Sequence, residues 1–319
     1  MINSNNLRIS LDRREIGSDM DFISHAHTDH LAAAKSSKMV LASEQTIRLI
    51  EHVQKIKIAE TKTHNERFEL IEAGHMLGSR QLCLNDTISG KRITYTGDFQ
   101  VVKSKTAMPI DIQSTDVLIM DSTYENPNIR FDDKYETETL IQDWTNKMLS
   151  KGIVLFSAYA MGKAQELIAV LNEAGIRPVV SKKISSICAI YRDCGIGLDY
   201  SSAYDENSNY GDMIRDNFVG ITETRDLNML KACVHFAHSK NVFTAMATGF
   251  AKLFRFNTDV QFPLSDHADF QQSIQYAEDT GAKEILTYGQ NADLFARNLS
   301  REGYNAMPFS NSTFSFKQK

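Results

Sequence analysis

The sequence predicts an α/β protein in which one domain is interrupted by another. Three observations carry that expectation. The first 125 residues alternate short apolar strands with turn signals. From about residue 126 the pattern changes to strands alternating with longer helices, the spacing of parallel β-α-β units. From about residue 264 short elements return. A chain of 319 residues is long enough to bury most of its unfolded surface, so both domains can have cores.

In the opening segment LRISL (7–11), DFIS (21–24), KMVLAS (38–43), RITYT (92–96) and DVLIM (116–120) read as strands. Two helices are predicted there. One covers LAAAKSS after His30. The other covers SEQTIRLIEHVQKI, with Ser43 as N-cap and Ile47, Ile50 and Val53 on one face. In the middle segment YETETLIQDWTNKMLSKG reads as a helix, IVLFSAYA as a strand, GKAQELIAVLNEAG as a helix and IRPVVS as a strand. Gly152 and Gly175 are expected to close the two helices. The final segment holds QFPLS, a helix from Asp269 to Glu278, the strand EILTY and a helix from Ala292 to Arg301.

Composition excludes several classes. Lys plus Arg number 35 against 40 Asp plus Glu, a formal net charge of −5, and no stretch approaches a membrane span. The N-terminal MINSNNLRISLDRREI lacks an apolar signal core, which points to a cytoplasmic protein. Cys83, Cys188, Cys194 and Cys233 form no paired spacing and read as free thiols. The acidic excess argues against coating nucleic acid through overall charge. Residues 126–263 carry 15 basic and 16 acidic side chains, so the middle segment is nearly neutral and not a basic module.

The strongest chemical signal is His25-Ala26-His27-Thr28-Asp29-His30, directly after a strand. Alternation lets His25 and His27 project the same way, while Asp29 and His30 turn toward a second position. His75, in EAGHMLGS, and Asp98, in YTGDF, each follow a strand and adjoin glycine, where backbones converge. Nitrogen and oxygen donors of this kind suit zinc, with Mn2+ tolerated.

In this order the motifs resemble the metallo-β-lactamase superfamily, whose fold is an αβ/βα sandwich with metals held by loops at one edge. The resemblance implies that His25, His27 and His75 hold one metal and that Asp29 and His30 hold a second. It implies that Asp98 bridges the two and that Asp12 supports the site from behind. Two cations so held can share a water and lower its pKa. Four further segments resemble the β-CASP nuclease branch: Asp121-Ser122-Thr123-Tyr124, FSAYAMGKAQE (156–166), ATGFA (247–251) and FPLSDHADF (262–270). The fold class expected is therefore α/β, a metallo-β-lactamase αβ/βα sandwich with an inserted β-CASP α/β domain. The expected divisions are 1–125, 126–263 and 264–319. The compact length looks most like the short archaeal and bacterial exonucleases of that branch.

The resemblance assigns roles. Asp29 orients the attacking water, His267 is the general acid, and Asp121 holds His267 and raises its pKa. Ser157, Tyr159 and Lys163 lie where a strand meets a helix N-terminus and are candidate phosphate contacts. One position departs from the pattern. RNA-active members carry a ligating histidine after the strand matching EILT, where this chain has Tyr288. The function expected is a zinc-dependent phosphodiesterase cutting single-stranded RNA or DNA exonucleolytically, in RNA processing or DNA repair. The alternatives are a small-molecule metallo-hydrolase of the same fold and a non-catalytic nucleic-acid-binding subunit. No membrane partner is expected, a homodimer is allowed, and protein partners are unknown.

Overall fold

The computed structural model describes all residues except 5–6, 14, 33, 35–38, 59–60, 63–66, 204–215, 310–313 and 316–319. The chain divides into two compact units, Met1–Arg130 with His267–Lys319, and Phe131–Asp266. These divisions fall a few residues beyond those read at 126 and 263.

The first unit contains two six-stranded sheets. One runs Phe314–Ser315, Ile2–Ser4, Leu7–Leu11, Met20–Phe22, Val40–Leu41, Thr61–Lys62. The other runs Asn305–Pro308, Glu284–Tyr288, Val117–Asp121, Lys91–Tyr95, Arg80–Asp86, Phe68–Glu72. Alternation along Val117–Asp121 explains how both faces of the second sheet are covered. Val117 and Ile119 join Ile9, Phe22, Leu41, Leu82 and Ile93 in a cluster drawn from both sheets. Leu118 and Met120 join Phe270, Tyr276, Phe295 and Leu299 from the helices Phe270–Thr280 and Ala292–Arg301. The two layers fix the strand ends that carry the site.

The second unit is a parallel sheet in the order Ser201–Ser202, Val179–Val180, Val219–Thr222, Ile153–Ser157, Val242–Ala247, Val260–Phe262. Helices Lys134–Leu149, Lys163–Glu173, Lys182–Asp193 and Leu227–His238 accompany it. Trp144 packs edge-on against both Phe156 and Phe262. No helix among the described residues is long and apolar enough to cross a membrane.

Several expectations need correction. The helix expected over LAAAKSS lies largely outside the described residues, and the chain before it forms one 3-10 turn, Thr28–His30. The helix Glu44–Gln54 buries Ile50 of the expected face, together with Thr46 and Leu49, while Ile47 and Val53 are only half-buried. Its Ser43 N-cap and Thr46 hydroxyls both donate to the Gly78 carbonyl, at 2.6 and 2.9 Å, which accounts for the burial of Thr46. Gly175 does adopt φ +71° after its helix. Gly152 does not, and a Cβ there would strike the Asn241 carbonyl, so close approach explains that glycine.

Candidate metal centre

The site is built at strand ends of the first unit. After Met20–Phe22, Ser24 and His25 are fully buried. Asp12, just beyond Leu7–Leu11, adopts φ +53°, a left-handed conformation that aspartate tolerates better than most residues. Its carboxylate accepts from Ser24 N and Ser24 Oγ, both at 2.7 Å, and from the Tyr95 hydroxyl at 2.8 Å. Because the Ser24 proton goes to Asp12, its oxygen is left to accept from His25 Nδ1, 3.0 Å away. That assigns the His25 proton to Nδ1 and turns the Nε2 lone pair toward the cluster. Burial, followed by the charge of His30, holds His25 well below the usual histidine range, in the neutral form a ligand requires.

Four donors converge there. His25 Nε2 is 3.0 Å from His27 Nδ1, and His75 Nε2 is 3.2 Å from the same atom. Asp98 Oδ2 lies 3.6 Å from His25 Nε2 and 3.9 Å from His75 Nε2. All four donor atoms lie within 4.8 Å of one another. A tetrahedral cation with bonds of about 2.0–2.1 Å separates its ligands by roughly 3.4 Å, so the donor set fits a divalent metal.

Two backbone hydrogen bonds and one from a side chain draw these loops together. Gly74, at φ +76°, lies so close to the Gln100 carbonyl that only glycine fits beside His75. Gln100 N donates to Ala73 O at 3.0 Å, and Gln100 Nε2 donates to the His267 carbonyl at 2.8 Å. Ala268 N donates to Phe99 O at 3.0 Å. The loops bearing His75, Asp98 and His267 therefore form one connected floor.

Asp29 and His30 sit differently. His30 Nδ1 lies 3.0 Å from Asp12 Oδ2, and its Nε2 lies 3.5 Å from Asp98 Oδ2 and 3.8 Å from Asp29 Oδ2. Burial opposes charge on His30, but Asp98 and then Asp12 raise it well above the usual range. The Asp29 side chain is 81% exposed, and among the described residues neither Asp29 nor His30 belongs to a donor group as tight as the first.

His267 Nδ1 faces Asp121 Oδ2 at 3.2 Å, while its Nε2 is 3.7 Å from Asp98 Oδ2. Asp121 also accepts from the Thr123 hydroxyl at 2.8 Å. Burial, then Asp98, raises the Asp121 carboxyl above its ordinary value. Tyr124 meets the His267 ring edge-on at 5.4 Å. Tyr288 lies in register with Asp121 and tilts over Tyr95, ring centres 5.0 Å apart. Burial first, then Tyr95 and the site carboxylates, push its phenol well above the usual range, so it keeps its proton.

The candidate phosphate contacts belong to the second unit and are unlike one another. Ser157 is buried and donates to Thr224 Oγ1 at 2.9 Å. Lys163 is buried and ion-paired with Asp266 at 3.0 Å, whereas Tyr159 is 55% exposed. Sequence reasoning overlooked Ser24, Gln100 and Glu125. Ser24 carried one signal, a polar residue at a strand end directly before the first histidine. Gln100 and Glu125 acquire their contacts only through tertiary approach.

No protein-family model matches the chain. Among curated proteins, it is 25% identical over 292 residues to a protein of Opitutus terrae named "Probable DNA ligase", covering 89% of this chain and 28% of that protein. It is 32% identical over 157 residues to an "RNase J-like protein" of Methanocaldococcus jannaschii, covering 48% of this chain and 36% of the relative. It is 36% identical over 137 residues to an "Uncharacterized protein in lig 3'region" of Acidianus ambivalens, covering 42% of this chain and 91% of that one. The chain thus spans about a third of the length of the first two relatives. With the histidine and aspartate motifs gathered at the strand ends of a two-sheet unit, and a second parallel unit between them in sequence, the chain belongs to the β-CASP nuclease branch of the metallo-β-lactamase superfamily.

Proposed function

We propose that this protein is a metal-dependent phosphodiesterase that hydrolyses single-stranded nucleic acid from an end. The observation that carries the reading is the convergence of His25, His27, His75 and Asp98, with the His267–Asp121 pair 3.7 Å from Asp98. The donor set suits zinc best and manganese next. A bound divalent cation supplies Lewis acidity toward a phosphoryl oxygen and acidifies water. Asp29 orients the attacking water. Asp121 accepts from His267 Nδ1 and leaves Nε2 directed at the cluster, where it protonates the departing oxygen. Tyr288 contributes no ligand in its protonated form, so we read one tightly held metal and one exchangeable metal at Asp29, His30 and Asp98. Metal analysis after dialysis checks this, and two equally retained ions per chain would overturn it.

The test of function uses 5′- and 3′-end-labelled RNA and DNA oligomers with zinc or manganese, and an Asp29→Ala control. A ladder shortening from one end supports the reading, and activity surviving in the control refutes the proposed roles. A more specific reading favours DNA. The relative matching 89% of this chain is named as a DNA ligase, which supports a role in preparing DNA ends for joining. DNA cleaved faster than RNA, leaving ends that a DNA ligase seals, is the expected result.

A further inference from the structure

Tyr288 closes the strand Glu284–Tyr288, in register with Asp121 at the end of Val117–Asp121. Tyr95 closes the strand on the other side, Lys91–Tyr95, and pairs with Ile119. Alternate residues of a strand share a face, so Tyr288 stands on the face of Leu286, Ile119 and Tyr95. The two rings meet across the central strand, centres 5.0 Å apart and tilted by 31°. The turn after Tyr288 is pinned, because Asn291 donates to the Ser122 carbonyl from its backbone and to the Thr123 carbonyl from its side chain, each at 2.8 Å.

The two phenol oxygens are joined by a side-chain hydrogen bond. Its direction follows from the other bond that Tyr95 makes. Tyr95 gives its proton to Asp12 Oδ2 at 2.8 Å, so its oxygen accepts and Tyr288 donates. Burial, ahead of any neighbouring charge, holds both phenols well above their usual range, so each has a proton to give. The chain ends on a carboxylate oxygen that also accepts from Ser24 Oγ at 2.7 Å and lies 3.0 Å from His30 Nδ1. Ser24 in turn accepts from His25 Nδ1 at 3.0 Å.

We infer that Tyr288 is a positioning residue for the metal centre, donating its hydroxyl proton to Tyr95 and so locking Tyr95 onto Asp12. This role rests on the metal-centre reading and not on the nuclease reaction. An accepted hydrogen bond strengthens the one that the same hydroxyl donates, and it leaves the Tyr95 O–H a single direction. A carboxylate that keeps its donors keeps its place, and Asp12 is the group behind both His25 and His30. Tyr288 ligates nothing, yet it supports the ligands from two residues away.

The experiment is a double-mutant cycle on the full-length protein: parent, Tyr288→Phe, Tyr95→Phe and the double variant, each titrated with zinc against a competing indicator. Each substitution removes one oxygen and keeps the ring. Zinc binding is expected to weaken about fivefold in Tyr288→Phe and about tenfold in Tyr95→Phe. The double variant should match Tyr95→Phe within about twofold, because Tyr288 acts only through Tyr95. A zinc affinity of Tyr288→Phe within about twofold of the parent would overturn the inference, and a lowered melting temperature beside it would mark a merely structural hydroxyl. Losses that multiply to roughly fiftyfold in the double variant would overturn it too, since Tyr288 would then act by another route. A parent that binds no zinc sinks the metal-centre reading and this role together. If the parent binds zinc but cleaves no nucleic acid, the phosphodiesterase reading fails alone, and the cycle still decides the role of Tyr288.

Discussion

Asp12 accepts from both the backbone amide and the hydroxyl of Ser24, each at 2.7 Å. Through that pair one carboxylate sets the tautomer of His25, and its second oxygen also lies 3.0 Å from His30 Nδ1. A single residue that ligates nothing thus orients donors toward both candidate metal positions. Asp12→Asn is expected to weaken zinc binding about 10–100-fold, the usual effect of losing a partner behind a ligating histidine. Competition with a zinc indicator measures it. An unchanged affinity would remove Asp12 from this role.

Gly97 precedes Asp98 at φ +57°, and a Cβ there would collide with that of Ser24. Gly97→Ala therefore forces either Ser24 off Asp12 or Asp98 out of the cluster. Strain at φ > 0 adds about 1 kcal/mol or more. The expected outcome is a lower melting temperature together with weaker metal retention. Gly90→Ala is the contrasting variant: it is strained at φ +68°, but a Cβ there meets nothing within 4 Å. It should lower stability without touching metal content.

Much of this arrangement is legible in the amino-acid sequence. The strands LRISL and EILTY and the helix Ala292–Arg301 have the bounds that their periodicity implies, because their apolar residues alternate or recur cleanly. The helix read from Asp269 to Glu278 runs Phe270–Thr280, and Asp269 is its N-cap, in a full capping box with Gln272. The histidine run stood out because its residue types are rare and its spacing matches a strand end. Other features were hidden for physical reasons. Gly152 looks like a cap but answers the Asn241 carbonyl, a contact set by strand pairing far along the chain. Lys163 sits at a helix N-terminus and reads as an anion contact, yet Asp266 pairs with it. Charge alone does not tell a free cation from a neutralised one.

His267 and Asp121 should be separable from the metal ligands by experiment. The cluster of His25, His27, His75 and Asp98 is complete without them. His267→Ala is therefore expected to keep its tightly bound metal while losing about 100- to 10,000-fold in kcat, the range of a positioned proton donor. Asp121→Asn should fall between His267→Ala and the parent. Metal loss equal to that of a His75→Ala variant would make His267 a ligand and not an acid.

Metal removal tests the cluster as a folding element. The donor atoms of three imidazoles and one carboxylate are held 3.0–3.9 Å apart, so a cation bound among them would tie together loops that are distant in sequence. Anything bound only by the folded chain stabilises it by mass action, about 2.7 kcal/mol at one hundred times its dissociation constant. Chelation should lower the melting temperature of the parent. It should leave that of a His25→Ala, His75→Ala double variant nearly unmoved. Equal shifts in both proteins would assign the effect to metal elsewhere.

Glu125 offers a pH signature free of the ligands. Its side chain is buried, Oε1 accepts from the Ser273 hydroxyl at 2.8 Å, and Oε2 has no hydrogen-bond partner among the described residues. Burial first, and then the nearby Asp121, raise its carboxyl well above the ordinary 4.5. For an acid raised on folding, the folded chain holds a proton that the unfolded chain has released. Its contribution to stability is complete below the unfolded value and is lost as pH rises toward the folded one. Glu125→Gln keeps the acceptor for Ser273 and removes the titration. The variant should therefore gain on the parent in melting temperature as pH rises above the ordinary carboxylate range, the parent falling more steeply there. Comparing the two proteins cancels the titration of histidines common to both. Parallel curves would mean that Glu125 is already ionised in the folded protein, held by a cation, and that burial does not govern its charge.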